Sequence, residues 1–387
     1  MKVAIFVTND LTTPNAESLL VNEPLKHLVK FEDLELHLIA PNDIPDELKD
    51  GLKYIRYTIY DKPILRFLSA FSAIPKLLKE DYDLYHSRGQ KATSILLIVR
   101  MIKRKQTPIL HVGFEITKES KIRSKHSIKN KIMERFYHFR ETMALKHSQG
   151  MLVYTEALKN YIEEHGIHNN RIFVVPIGVN LDLCGRKYER DLTLINELGI
   201  KDKKVIMYTG EITPLHGILD LVKAMQIINS KIKDAVLVIV GDGSALLEIK
   251  DYVNKNKLHN VIFVGRVVRE KIPKYHSIAD VLVIPHIRRI DSELIYPSKL
   301  LECLASGKPI VASNLKAIAN VVGDSAVLVE PEKPEAFADG ILRLLNDRDL
   351  AEKIGENGKK IIYNYSWEES AQKLYEAYKY FEKIETQ

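Results

Sequence analysis

The residues of this 387-residue chain best suited to chemistry stand just after short apolar runs. One group is Pro297-Ser298-Lys299 with Glu302 following. Proline near the first helical position, then serine and lysine in the first turn, reads as a helix start. Backbone N–H groups at such a start can hold a phosphate, and Lys299 adds a cation. Leu300, Leu301, Cys303 and Leu304 make this helix mostly apolar, so Glu302 does not sit on a fully solvated face. A second group is Gly210 and His216 in TGEITPLHG, where His216 is expected to donate a hydrogen bond to an anion. Arg266 and Val267 follow the strand ending at Gly265, and Arg288-Arg289 follow Pro285. In the first half, DLYHSRG places His86 and Arg88, and PILHVGFE places His111, at expected strand ends, where a histidine can hydrogen-bond a ligand's hydroxyls.

The elements that must carry these residues are legible as a series. Continuous apolar runs at 3–7, 34–39, 82–86, 108–112, 150–154 and 172–175 are expected strands, and the series resumes at 205–208, 235–240, 261–264, 281–284, 309–312 and 326–329. Continuous rather than alternating runs mark strands buried on both faces of a parallel sheet. Helical patterns fill the gaps, so the fold class is α/β, with two Rossmann-like, doubly wound parallel-sheet domains. The expected spans are 1–185 and 204–365, with a polar linker between them. A helix at 366–387 follows, packing on its own domain or back on the first. Open sheets of this kind bind ligands beyond their strands' carboxyl ends, and two of them facing each other make a cleft.

Composition removes several alternatives. Cys184 and Cys303 lie in no metal-ligand spacing and are expected to be free thiols. No apolar run reaches membrane-spanning length, so a cytoplasmic protein is expected. Gly241-Asp242-Gly243 lacks the third glycine of a dinucleotide fingerprint, because Leu246 stands there. Residues 1–150 hold 25 Lys and Arg against 18 Asp and Glu, whereas residues 151–387 hold 32 against 33. The basic excess therefore lies in the first half and suggests an acidic partner there. Its densest part, 118–146, interleaves Lys121, Arg123 and Lys125 with Ile122, Ile128 and Phe136, as a helix lying on anionic lipid does. No nucleic-acid module is recognised, so nucleic acid is not an expected partner.

The order and spacing of VIMYTGEITPLHG (205–217), AVLVIVGDG (235–243), NVIFVGRVV (260–268) and YPSKLLECLASGKPIVAS (296–313) resemble glycosyltransferase family 4. Weaker echoes begin near residue 80 in DLYHSRG and continue through PILHVGFE and IFVVPIGVN. That family holds retaining enzymes of the GT-B fold, two Rossmann-like domains facing a cleft. The resemblance implies a sugar transferred from a UDP- or GDP-sugar to a glycan or lipid-linked acceptor, with no metal or other cofactor. It implies donor binding by Gly210, His216, Arg266, Val267, Pro297, Ser298, Lys299, Leu300 and Glu302, the last holding ribose hydroxyls. Lys299 and His111 are the implied catalytic residues, and His86 and Arg88 are acceptor-side candidates. The family's role in polysaccharide synthesis would seat the protein on the inner face of a membrane. The chain departs from the pattern at Leu294, where the family has glutamate with Glu293 one residue early, and at Glu211 and His216, where it has arginine and lysine. Those departures support another reading, a non-catalytic nucleotide-sugar-binding protein, and the fold also admits a nucleotide-sugar epimerase.

Overall fold

A computed structural model describes residues 1–12, 16–58, 69–112, 135, 139, 142–165 and 171–385. The chain forms two compact units, Met1–Ile177 with Trp367–Gln387, and Gly178–Ser366.

Seven strands make the sheet of the first unit: β1 (Lys2–Phe6), β2 (Glu35–Ala40), β3 (Lys53–Arg56), β4 (Leu84–Arg88), β5 (Ile109–Val112), β6 (Gly150–Val153) and β7 (Ile172–Val174). They run parallel in the order β3-β2-β1-β4-β5-β6-β7. Both faces are covered, which is why β1 has no polar face. Val3 and Ile5 pack with α1 (Ala16–Leu28), and Ala4 and Phe6 with α2 (Gly89–Lys103). The strand β3 is not among those expected from the sequence. Its residues KYIR lie at the sheet edge, exposed or half-buried, so no continuous apolar run marks it.

The C-terminal helix (Trp367–Glu385) belongs to this first unit. Ala371, Leu374, Ala377, Tyr378 and Phe381 join the core that contains Val3 and Ile5. Its docking needs a glycine at the start of β6, because a Cβ on Gly150 would stand 2.5 Å from the Phe381 ring.

The second unit is built on β8 (Lys204–Thr209), β9 (Ala235–Val240), β10 (Val261–Gly265), β11 (Val281–Ile284), β12 (Ile310–Ser313) and β13 (Val327–Val329), parallel in the order β10-β9-β8-β11-β12-β13. Leu221, Val222 and Met225 of α3 (Ile218–Lys231) enter a core shared with Ile206, Ile239 and Phe337. The sequence places a linker at 186–203, but 178–203 is part of this unit. Asn180 caps the short helix Leu181–Cys184 by accepting the Leu183 N–H at 2.9 Å, and Asp191 caps Leu192–Glu197 in the same way. Cys184 and Ile195 are buried, so a polar-looking segment is held by its few apolar side chains.

In each sheet the winding reverses once, between β1 and β4 and between β8 and β11. In open parallel sheets, ligands bind beyond the strands' carboxyl ends at such a point.

Candidate functional site

In the second unit, the reversal point gathers most of the candidates. The strand β8 ends at Thr209, and Gly210 follows with φ of +131°, where a side chain would be strained. A Cβ there would also lie 3.0 Å from Lys299 Nζ. Gly217, at φ +62°, lets its loop meet the one after β11, since a Cβ would fall 1.7 Å from the Pro285 carbonyl oxygen. This contact sets the rings of His216 and His286 edge to face, 4.7 Å apart between centroids.

Helix α4 (Ser298–Ser306) starts beside this loop, with Pro297 at its N-cap. The amides of Ser298 and Lys299 lie in the first turn, whose N–H groups lack partners one turn earlier. Leu300 is wholly buried beneath the helix, and its N–H is taken by Pro297 O at 3.0 Å, so Leu300 anchors the helix rather than facing an opening. Lys299 is half-buried, and its ammonium turns toward the wholly buried Tyr208. Nζ donates to the Tyr208 hydroxyl at 2.5 Å and lies 4.3 Å from that ring's centroid. The Tyr208 hydroxyl in turn donates to Glu211 O at 2.6 Å. Burial pushes the Lys299 pKa down to about 7, outweighing the upward influence of Cys303, Glu211 and Glu302. Burial thus weakens the lysine's hold on its proton relative to an exposed lysine.

One turn on, Glu302 Oε1 accepts from Arg269 Nε at 3.0 Å and pairs with a terminal nitrogen of the same guanidinium at 2.9 Å. Burial drives His216 down to about 3 and His286 well below its usual range. His216 is thus neutral, with Nδ1 3.0 Å from Thr213 Oγ1, and does not replace the lysine that the family has there. Arg266 is exposed after Gly265, and Val267 is half-buried beside it. Arg288 is committed to Glu293, Glu330 and Asn314 O, and Arg289 to Asp291. Glu293 accepts from Lys316 N at 2.6 Å and pairs with Arg288, while Leu294, where the family has glutamate, is buried.

The first-unit candidates are not gathered in the same way. The strand β4 runs to Arg88, so His86 lies inside it rather than at its end. Its Nδ1 meets the Tyr378 hydroxyl of the C-terminal helix at 2.5 Å, and burial lowers its pKa to about 3. Arg88 ends the strand and donates to Leu20 O at 3.3 Å. Both line a cavity of about 40 Å³ with Trp367 and Tyr378. His111 is likewise inside β5, wholly buried, with Nδ1 2.7 Å from Thr93 Oγ1. It pairs in register with Ser87, so its ring lies on the opposite sheet face from His86. An implied contact between His111 and a transferred sugar does not fit this burial.

Tyr208, Arg269 and His286 were not singled out by sequence. Only His286 had a usable signal, because it follows the strand end at Pro285. Arg269 and Tyr208 gain meaning through partners 33 and 91 residues away. Among the described residues, no group of three or more His, Cys, Asp or Glu side chains is arranged to hold a metal ion.

Two family models match the chain side by side. The one described as Glycosyltransferase Family 4 covers residues 21–183, and Glycosyl transferases group 1 covers residues 192–361. The chain belongs to glycosyltransferase family 4. This glycosyltransferase is 24% identical to an uncharacterized glycosyltransferase of Methanocaldococcus jannaschii over 94% of both chains. It is 26% identical to the capsular polysaccharide biosynthesis glycosyltransferase CapM of Staphylococcus aureus over 87% of both. Its fold is that of Anabaena HepE, solved in complex with UDP, with a TM-score of 0.76 at 16% identity over 98% of this chain and all of that one. The fold class is therefore GT-B, and the chain is an enzyme of the hexosyltransferase type.

Proposed function

We propose that this glycosyltransferase transfers a hexose from a UDP- or GDP-sugar to a glycan or lipid-linked acceptor on the cytoplasmic side of a membrane, with retention of configuration and without a metal. One observation carries this reading: the buried Lys299 ammonium stands at the start of α4, beside Gly210, at the reversal point of the second sheet. Negative charge that grows on a nucleoside diphosphate leaving group is stabilised by preorganised donors. The Ser298 and Lys299 amides and the Lys299 ammonium supply them. Glu302, held through Oε1 by Arg269, presents its other oxygen to the ribose hydroxyls. Arg266 and Val267, which follow β10, contact the nucleotide from that side.

With no enzymic nucleophile singled out, attack on the sugar's front face is the retaining route we favour. The UDP in the HepE structure supports a uridine donor, and the named role of CapM supports a glycan acceptor. In the first unit, Arg88 at the end of β4 is the acceptor-side group with access; His86 acts behind it. A thermal-shift panel of UDP-, GDP- and ADP-sugars, with and without EDTA, tests the reading. A shift with a UDP- or GDP-sugar that persists in EDTA supports it. Stabilisation by none of them, or only with added divalent cation, overturns it.

A further inference from the structure

Lys299 presents a combination that its neighbours leave unresolved. Lys299 is half-buried and its ammonium rests on the wholly buried Tyr208, yet among the described residues no carboxylate is within ion-pair distance of Nζ. Glu302 is held by Arg269, and the Glu211 side chain is exposed. The only hydrogen bond described for Nζ goes to a neutral phenol, because burial raises the Tyr208 hydroxyl well above its usual range. His216 and His286, which face the same space from the loops after β8 and β11, are kept neutral.

The elements packed on α4 bring no carboxylate into ion-pair distance of Nζ among the described residues either, since Asp182, Asp349, Glu352 and Glu356 are all exposed. On the helix itself, burial raises the Cys303 thiol far above its usual value, and on Leu181–Cys184 it raises the Cys184 thiol to about 12. On Ile272–Ile278, His276 is buried against Thr209 Oγ1 at 3.0 Å and lowered to about 4. In 362–365, Tyr365 is raised by burial and stands edge-on to Tyr296. From Arg348–Ile361, Lys359 packs on Gly307, at the other end of α4. A buried cation without a counter-charge favours its neutral form until an anion arrives. Lys299 is not fully buried, and Gly210 beside Nζ carries no side chain to screen it from such an anion.

We propose that Lys299 acquires its full charge only when the donor's diphosphate enters, so that this glycosyltransferase takes up a proton as it binds a nucleotide sugar. The proposal rests on the nucleotide-sugar reading above. A diphosphate bridge supplies the missing counter-charge and lifts the lysine's proton affinity. The protonated, paired lysine is then in place when the leaving group's charge grows. The sign follows from linkage. In the free protein Lys299 is largely protonated below about pH 7, so binding there takes up little. Above that value each bound donor draws a proton from solvent, and affinity falls by up to about tenfold per pH unit.

The experiment is calorimetry of UDP-glucose, UDP-N-acetylglucosamine and GDP-mannose binding to the full chain, in two buffers of different ionisation enthalpy. It is run near pH 6 and near pH 8. The expected result is uptake approaching one proton per donor near pH 8 and little near pH 6. K299M keeps the volume and removes the titration, so it should fold, bind more weakly and take up no proton. K299R stays charged throughout and should also show no uptake. Equal binding heats for the unsubstituted chain in both buffers near pH 8, or undiminished uptake in K299M, overturn the inference while leaving the donor reading intact. Failure of every nucleotide sugar to bind at either pH overturns the donor reading and this inference with it.

Discussion

Glu302 shows at residue scale how a side chain is prepared before its ligand arrives. Both Arg269 contacts fall on Oε1, which fixes the carboxylate and leaves Oε2 for a pair of hydroxyls. Glu302→Ala removes a charge-assisted hydrogen bond, so donor binding should weaken by about 1.5–3 kcal/mol. Titration calorimetry checks this, and unchanged affinity in a folded variant removes Glu302 from the site. Arg269→Met should weaken donor binding alone but add little to Glu302→Ala, since contacting residues are not additive. Gly217→Ala puts a methyl where the Pro285 carbonyl already stands and fixes an alanine at φ +62°. It should cost more than about 1 kcal/mol, read as a lowered Tm. The helix start that carries Lys299 and Glu302 was legible in the sequence because its proline, serine and apolar residues are local signals, whereas the role given to Glu302 came from the resemblance. Arg269 was not, because only folding brings its loop to α4.

At the scale of elements, legibility followed burial. Strands covered on both faces leave continuous apolar runs, so the sheet interiors could be read directly, while the half-exposed edge strand β3 left none. Offsets of two residues mattered more than a missed strand. The sequence puts the end of β4 at His86, but the strand continues to Arg88, which moves His86 from a rim to an interior held by the C-terminal helix. That helix is itself a tie within the first unit. Tyr378→Phe strips the Tyr378 partner from buried His86 Nδ1, and an unsatisfied buried group costs about 1–3 kcal/mol. Thermal unfolding should show the loss, while donor affinity, which the proposed function places in the second unit, stays the same. An unchanged Tm would mean that His86 finds another partner at no cost.

Over the whole molecule, charge sets two behaviours. His86 and His216, lowered to about 3, and His276, lowered to about 4, are buried neutral and must be charged on unfolding in acid. The folded state then binds fewer protons than the unfolded state, so stability present above about pH 6.5 is lost as pH falls toward those values. Denaturant midpoints measured down that range should decline steadily. The second behaviour concerns surfaces. No helix among the described residues is long and apolar enough to cross a membrane. Residues 1–150 nevertheless hold 25 Lys and Arg against 18 Asp and Glu, and most of the densest basic stretch, 118–146, lies outside the described residues. Attraction of basic residues to anionic lipid is worth about 1 kcal/mol each near the surface and is screened by salt. If this excess seats the enzyme on its acceptor's membrane, it should sediment with anionic liposomes at low salt, release at high salt and ignore neutral ones. Replacing Lys121, Arg123 and Lys125 with serine should weaken sedimentation and leave nucleotide-sugar binding intact. Retention in the supernatant at low salt would instead point to a soluble acceptor, with the basic excess only a solvated face.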